Sequence, residues 1–185
     1  PPRHGSSAAS DVYKRQIENA IIVAMAMGCS TNAIIHLIAI ARRSRIRLTM
    51  DKLDEIGRKV PVIANIRPSG KEYLMEDFYY AGGILSLMYQ LSDILNINEK
   101  TVVGKNIKEI IKKQKPINED VIRPLKNPIY KEGSLAVLKG NLAPDGCVIK
   151  PAACEKKFLK HKGPVIVFDS YTEMNKNIDS DDLDV

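Results

Sequence analysis

The sequence has no tryptophan, three cysteines among 185 residues, and no apolar run long enough to cross a bilayer. Cys29, Cys147 and Cys154 are odd in number with no paired close spacing, which argues against a disulfide framework. No C-x-x-C or similar short spacing is present, so the cysteines suggest no metal site of their own. They are expected to be free, buried thiols in a reducing compartment. The longest apolar run, Ala20 to Met27, falls well short of the roughly 18 residues a membrane span needs. It reads as the core face of a helix. Pro1 to Gln16 is polar and irregular, unlike the basic-then-apolar pattern of a secretion signal. Together these absences predict a soluble, cytoplasmic protein with no membrane partner.

The formal net charge is +6 and the pI about 9.2. Arg3, Lys14 and Arg15 against Asp11 give the first sixteen residues +2, leaving +4 for the rest. Within that remainder the bases cluster locally, at Arg42, Arg43, Arg45 and Arg47 and again at Lys112, Lys113 and Lys115. Nucleic-acid binders interleave bases with exposed aromatics or carry a recognised motif. Neither pattern occurs here, because Tyr79 and Tyr80 lie among Glu72, Glu76 and Asp77. The basic clusters therefore read as solvated surface, and no nucleic-acid partner is expected.

Residues 1–16 lack apolar periodicity and read as a non-native leader, set aside from the fold. Ile17, Ala20, Ile21, Ala24 and Met27 then recur at helical spacing and define one face. Gly28-Cys29 breaks that helix, and Ser30 can cap a second one whose apolar face is Ile34, Ile35, Leu37, Ile38 and Ala41. A third helix starts after Thr49, with Asp51 in its first turn, and ends at Pro61. Val62 to Ala64 reads as a short buried strand. The turn at Pro68-Ser69-Gly70 leads to two short helices separated by Gly82-Gly83. Further strands are expected at Thr101 to Val103, Leu135 to Leu138, Cys147 to Lys150 and Val165 to Phe168. An amphipathic helix is expected around Ile107, Ile110 and Ile111. The loop Pro144-Asp145-Gly146 turns between two strands. Ser170 and Glu173 form a capping-box pattern for a last helix.

Taken singly, no residue names a reaction. Ser30, Thr31 and Asn32 place hydroxyls, an amide and free N–H groups at a helix start, where carboxylates and phosphates bind. The same pattern also suits a capped core helix. His36, beside isoleucines and leucines, reads as a hydrogen-bonded core histidine. Ser69-Gly70-Lys71 lacks the G-x-x-x-x-G-K-[ST] spacing of a Walker loop. Glu76 and Asp77 are adjacent on a helix and so point to different faces.

Strung together, five segments resemble one family. They are MGCSTNAIIHLIAIAR, LTMDKLDEIGRKVPVIANIRPSGKEYLMEDFYYAGG, TVVGK, GSLAVLKGNLAPDGCVIKPAA and GPVIVFDS. Their order and content resemble the middle of the dihydroxy-acid and sugar-acid dehydratases. The resemblance covers nearly all of Ile17 to Val185, and Phe78-Tyr79-Tyr80 with Arg123 to Pro128 look more like the sugar-acid (pentonate) branch than the branched-chain amino-acid branch.

The resemblance implies a hydro-lyase that turns a 2,3-dihydroxy acid into a 2-keto acid. It implies an iron–sulfur cluster as Lewis acid on the departing hydroxyl and a magnesium ion on the carboxylate and C2 oxygen. A serine alkoxide removes the C2 proton. Hydroxide leaves poorly without a Lewis acid, and the developing enediolate must be stabilised. By the same alignment the cluster cysteines and magnesium ligands belong upstream of Ile17 and the serine downstream of Val185. Cys29, Cys147 and Cys154 match no ligand. An internal fragment, inactive alone, is therefore expected, with Ser30, Thr31 and Asn32 as its substrate-binding candidates. The implied architecture is α/β. Residues 17–95 end an N-terminal α/β domain, 96–127 connect, and 128–185 begin a swivelling β-barrel-like C-terminal domain, the parent enzyme being a homodimer. The alternative reading is a stand-alone anion- or sugar-acid-binding module without catalysis.

Overall fold

The computed structural model describes residues 7–180 and Leu183. Two compact units divide the chain, Pro1–Ala153 and Cys154–Val185. The architecture is mixed, helices with one small sheet. In chain order the first unit has helices α1 (Ser7–Met27), α2 (Asn32–Arg43), α3 (Met50–Lys59), α4 (Met75–Tyr80), α5 (Gly83–Gln90) and α6 (Ile107–Ile111), then strands β1 (Ala136–Leu138) and β2 (Cys147–Ile149).

Local signals explain most of these boundaries. Thr49 Oγ1 accepts from the Lys52 amide at 3.2 Å and opens α3, while Asn106 and Glu109 cap α6 reciprocally. Asp77 accepts from the Leu74 amide at 2.7 Å, so it serves the start of α4. The β1–β2 hairpin is antiparallel with Val137 opposite Val148. Its connecting loop contains Gly146 at φ 100°, as the Pro-Asp-Gly turn requires.

The core forms where α1 meets α2, α3 and α5. Ile21, Met25, Leu53, Ile63, Leu87, Leu91 and Ile122 are fully enclosed. Each such side chain contributes about 1.5–3 kcal/mol by leaving water. The extended segment Val62–Ile66 runs through this core. It forms isolated bridges, Val62 with Tyr130, Ala64 with Ile122 and Ile66 with Tyr73, rather than a continuous strand. The 96–127 stretch packs into the same unit. Asn19 and Asn96 exchange hydrogen bonds of 2.8 and 3.1 Å, and Val121 and Ile122 are buried.

Several expectations need correction. Part of the stretch set aside as a leader belongs to the fold: α1 runs from Ser7, and Arg15 pairs with Glu99 at 3.1 Å. Its buried face is Asn19, Ile21, Ile22, Met25 and Ala26, whereas Ala20 is exposed. Neighbours on several sides, including the Ile63 and Ala64 amides that both donate to the Ala26 carbonyl, decide burial rather than one stripe. On α2, Ile34 and Ala41 are buried but Ile35 is 68% exposed, and His36 is exposed rather than in the core. That helix packs chiefly on α1, which covers a narrower strip than its apolar width. Thr101 to Val103 is a turn, not a strand: the Thr101 hydroxyl and amide both donate to the Lys105 carbonyl, and Gly104 has φ 78°. Closing that turn overrides the β preference of the paired valines.

The second unit holds a 3-10 turn at Lys156–Phe158 and helix α7 (Tyr171–Asn177). Ser170 Oγ accepts from the Glu173 amide at 3.1 Å, as its capping pattern implies. Val165 to Phe168 is not a strand. Val165 and Val167 are each 79% exposed, and no described residue of this unit is buried. A strand needs a hydrogen-bonded neighbour and a covered face, and this unit provides neither among its described residues.

Candidate functional site

The candidate site starts where α1 ends. Gly28 takes φ 86°, a conformation that glycine adopts without strain. The Cys29 amide then reaches back to the Ala24 carbonyl at 3.1 Å and closes the helix. The next carbonyls, of Gly28 and Cys29, point away from the helix and need donors. Lys150, just after β2, supplies them: its Nζ donates to the Gly28 carbonyl at 2.9 Å and the Cys29 carbonyl at 3.3 Å. The buried Ser69 hydroxyl donates to the same Gly28 carbonyl at 3.4 Å. Ser69 is held by a close approach at its neighbour, where a β-carbon on Gly70 would lie 2.4 Å from the Asn65 backbone.

Cys29 lies inside this junction, its sulfur 3.9 Å from the Ser134 hydroxyl. Burial pushes its thiol pKa up, outweighing the hydroxyl contact and the nearby Lys150 charge. It is a neutral packing thiol at neutral pH rather than a nucleophile. Desolvation lowers the Lys150 pKa, partly offset by Cys29. Only Cys29 fits the expected burial, since Cys147 is exposed and Cys154 half-buried in the second unit.

Beyond this pinned turn, Ser30, Thr31 and Asn32 are all exposed at the start of α2. Ser30 does not cap alone: Thr31 holds the N-cap position without a side-chain hydrogen bond. The Ser30 hydroxyl accepts from the Asn32 amide at 3.3 Å. The Thr31 hydroxyl and the Asn32 side chain have no hydrogen bond among the described residues, which leaves both open to a ligand.

The other sequence candidates fall elsewhere. Ser69-Gly70 is a structural turn behind the site, Asp77 caps α4, and His36 faces outward from α2. The sequence marks neither Lys150 nor Ser134 as a site residue, and Ser69 only as part of a turn. Lys150, Ser69 and Ser134 lie 122, 41 and 105 positions from their partners in the Gly28–Cys29 turn, and no spacing rule links them. Among the described residues, no helix is long and apolar enough to cross a membrane. No group of three or more His, Cys, Asp or Glu among them could hold a metal ion.

Comparison with known proteins defines the class. The family model described as dihydroxy-acid/6-phosphogluconate dehydratase N-terminal matches residues 5–110, and its C-terminal counterpart matches residues 120–185. The chain belongs to this dehydratase family. Among its relatives, the L-arabinonate dehydratase of Rhizobium leguminosarum bv. trifolii is 44% identical over 93% of this chain and 30% of that protein. The dihydroxy-acid dehydratase of Thermodesulfovibrio yellowstonii is 47% identical over 93% of this chain and 31% of that protein. The 6-deoxy-6-sulfo-D-gluconate dehydratase of Pseudomonas putida is 41% identical over 92% of this chain and 30% of that protein. The chain thus spans about 30% of the length of the curated relatives it matches. The two family models part between residues 110 and 120, inside the 96–127 stretch, whereas the compact units part at Ala153 and Cys154.

Proposed function

We propose that this chain is part of a hydro-lyase that dehydrates a 2,3-dihydroxy acid to a 2-keto acid. A sugar acid such as a pentonate is favoured over the dihydroxy acid of branched-chain amino-acid biosynthesis. Within the chain, the exposed start of α2 is the substrate-facing element. Its N–H groups and positive dipole end suit a carboxylate, and the open Thr31 hydroxyl and Asn32 amide suit a polyhydroxy chain. The observation that carries this reading is the clamp of Lys150 and Ser69 on the Gly28 carbonyl. It fixes the turn that presents Ser30, Thr31 and Asn32. The sugar-acid preference rests on the likeness of Phe78 to Tyr80 and Arg123 to Pro128 to that branch.

The iron–sulfur cluster and magnesium ion implied by the family do not fit the described residues of this chain. The three cysteines are apart, one of them buried as a neutral thiol, and no carboxylate–histidine group converges. The reading is that other segments of the parent enzyme hold them, and that the 185 residues alone turn nothing over. In the same reading the parent is a cytoplasmic homodimer, and residues 128–185 open a swivelling β-barrel-like domain. The stand-alone binding module finds no support, because the matched relatives are named as dehydratases.

The test is keto-acid formation by the parent enzyme from pentonates and from the branched-chain dihydroxy acid, with Thr31→Val and Asn32→Ala variants. Faster turnover of a pentonate is expected, with KM raised about tenfold in each variant, the loss of one hydrogen bond to a charged ligand. Preference for the branched-chain acid would overturn the substrate choice. Unchanged KM in both variants would remove the start of α2 from the site.

A further inference from the structure

The far end of α2 carries a second feature that the dehydratase reading does not use. Arg42, Arg45 and Arg47, with Ile38, Ile46 and Leu48, line a cavity of about 290 Å³. No carboxylate is among the described lining residues. An adjoining cavity of about 260 Å³ shares Arg45 to Leu48 and adds Lys14 and Lys52. The one acid among its described lining residues, Glu18, is already paired with Lys52 at 3.7 Å. Neither Arg42 nor Arg47 has an ion-pair partner among the described residues. Two guanidinium groups that share one concave lining and have no ion-pair partner among the described residues repel each other, and an anion between them removes that cost.

The backbone at this point is unusual as well. Arg45 has φ 59° and is the one described non-glycine residue in the left-handed region. It sits where α2 closes, with the Ile46 amide on the Ala41 carbonyl at 2.8 Å. Glycine normally takes that position.

We infer that this cavity is a binding site for a small phosphorylated molecule. Arg42 and Arg47 grip the phosphoryl group bidentately, and the molecule's apolar body rests on Ile38, Ile46 and Leu48. Guanidinium forks match phosphoryl oxygens in geometry and charge. A mostly apolar floor with a few convergent charges is the usual make-up of a small-molecule site. The twelve residues of α2 set the cavity about 18 Å from Ser30, Thr31 and Asn32. It is therefore separate from the proposed substrate-facing end and stands or falls independently of it.

Arg43 provides an internal control. It has the same charge, is exposed on the same last turn, and lines neither cavity. Calorimetric titration of the parent protein with inorganic phosphate and with phenyl phosphate at low ionic strength tests the site. Saturable binding of both is expected, tighter for phenyl phosphate because of the apolar floor. The R42Q/R47Q double variant should lose at least tenfold in affinity and R43Q less than twofold. The R42K/R47K variant keeps the charge but not the fork, so it should lose most of the affinity too. Absence of saturable binding overturns the proposal, as does equal weakening by R43Q, the mark of diffuse attraction such as nucleic acid would experience. Full affinity in R42K/R47K equally overturns it.

Discussion

The ammonium group of Lys150 lies 2.9 Å from the carbonyl oxygen of Gly28, across 122 positions of sequence. This contact ties the end of β2 to the turn between α1 and α2. It satisfies carbonyls that the end of α1 leaves without an intrahelical donor.

Lys150→Met keeps the length and apolar stem of the side chain but removes the donor. The Gly28 carbonyl keeps only the longer Ser69 contact, and the Cys29 carbonyl loses its donor. A stability loss of about 1–2 kcal/mol is expected from urea unfolding, the range for stranding partly buried acceptors. An unchanged unfolding midpoint would mean that water replaces the ammonium without cost and that the clamp does not hold the turn.

Gly28→Ala should be worse than a surface substitution of the same size. The backbone there has φ 86°, and the new β-carbon would lie 2.4 Å from the Ser69 hydroxyl oxygen. Backbone strain and displacement of Ser69 together predict a loss of about 2 kcal/mol or more. Pairing it with Ser69→Gly separates the two causes. If the double variant recovers most of the loss the clash dominates, and if it recovers none the φ angle does. Full stability of the single variant would contradict the turn geometry.

Asp54 gives a pH signature. Burial raises its pKa, but the Val137 amide at 3.0 Å and Arg58 at 2.7 Å outweigh it, and the net shift is downward. A carboxyl held below its unfolded value stabilises above that value, about 3.9 for an aspartate, and loses the contribution as pH falls through its folded pKa. Asp54→Asn should therefore cost about 1 kcal/mol at neutral pH. It should also flatten the acid limb of the stability curve below about pH 4. Denaturant melts at pH 3, 4 and 7 read this directly. A parallel acid limb in both proteins would show that the α3-to-β1 link does not depend on ionised Asp54.

Much of the fold was legible because it depends on neighbours in sequence. Thr49 before α3, Gly28 after α1, the Pro144-Asp145-Gly146 turn and Ser170 before α7 each act within a few residues, and each lies where its chemistry predicts. Sequence and structure part where distant partners decide. Val165 to Phe168 and Thr101 to Val103 have strand-forming residues but no strand to pair with among the described residues, and backbone hydrogen bonds outweigh propensity. The buried face of α1 departs from its apolar spacing because the Ile63 and Ala64 amides dock on the carbonyl of Ala26. The apolar neighbours of His36 suggest the core, yet a helix packed on one side leaves it in water.

The site divides the same way. Ser30, Thr31 and Asn32 were visible as a helix start, since capping chemistry is local. The ordered run of motifs was enough to indicate the dehydratase family, since it is a property of sequence order. Lys150, Ser69 and Ser134 became part of the site only through tertiary structure. Their partners are a backbone carbonyl and a buried thiol far along the chain, and a carbonyl leaves no trace in residue identity. The sequence alone determined the end of α1, the starts of α3 and α7, the hairpin turn and the family. Tertiary structure decided which carbonyls Lys150 reaches, which thiol is buried and which arginines share a cavity, because each depends on segments distant in sequence being brought together by the core.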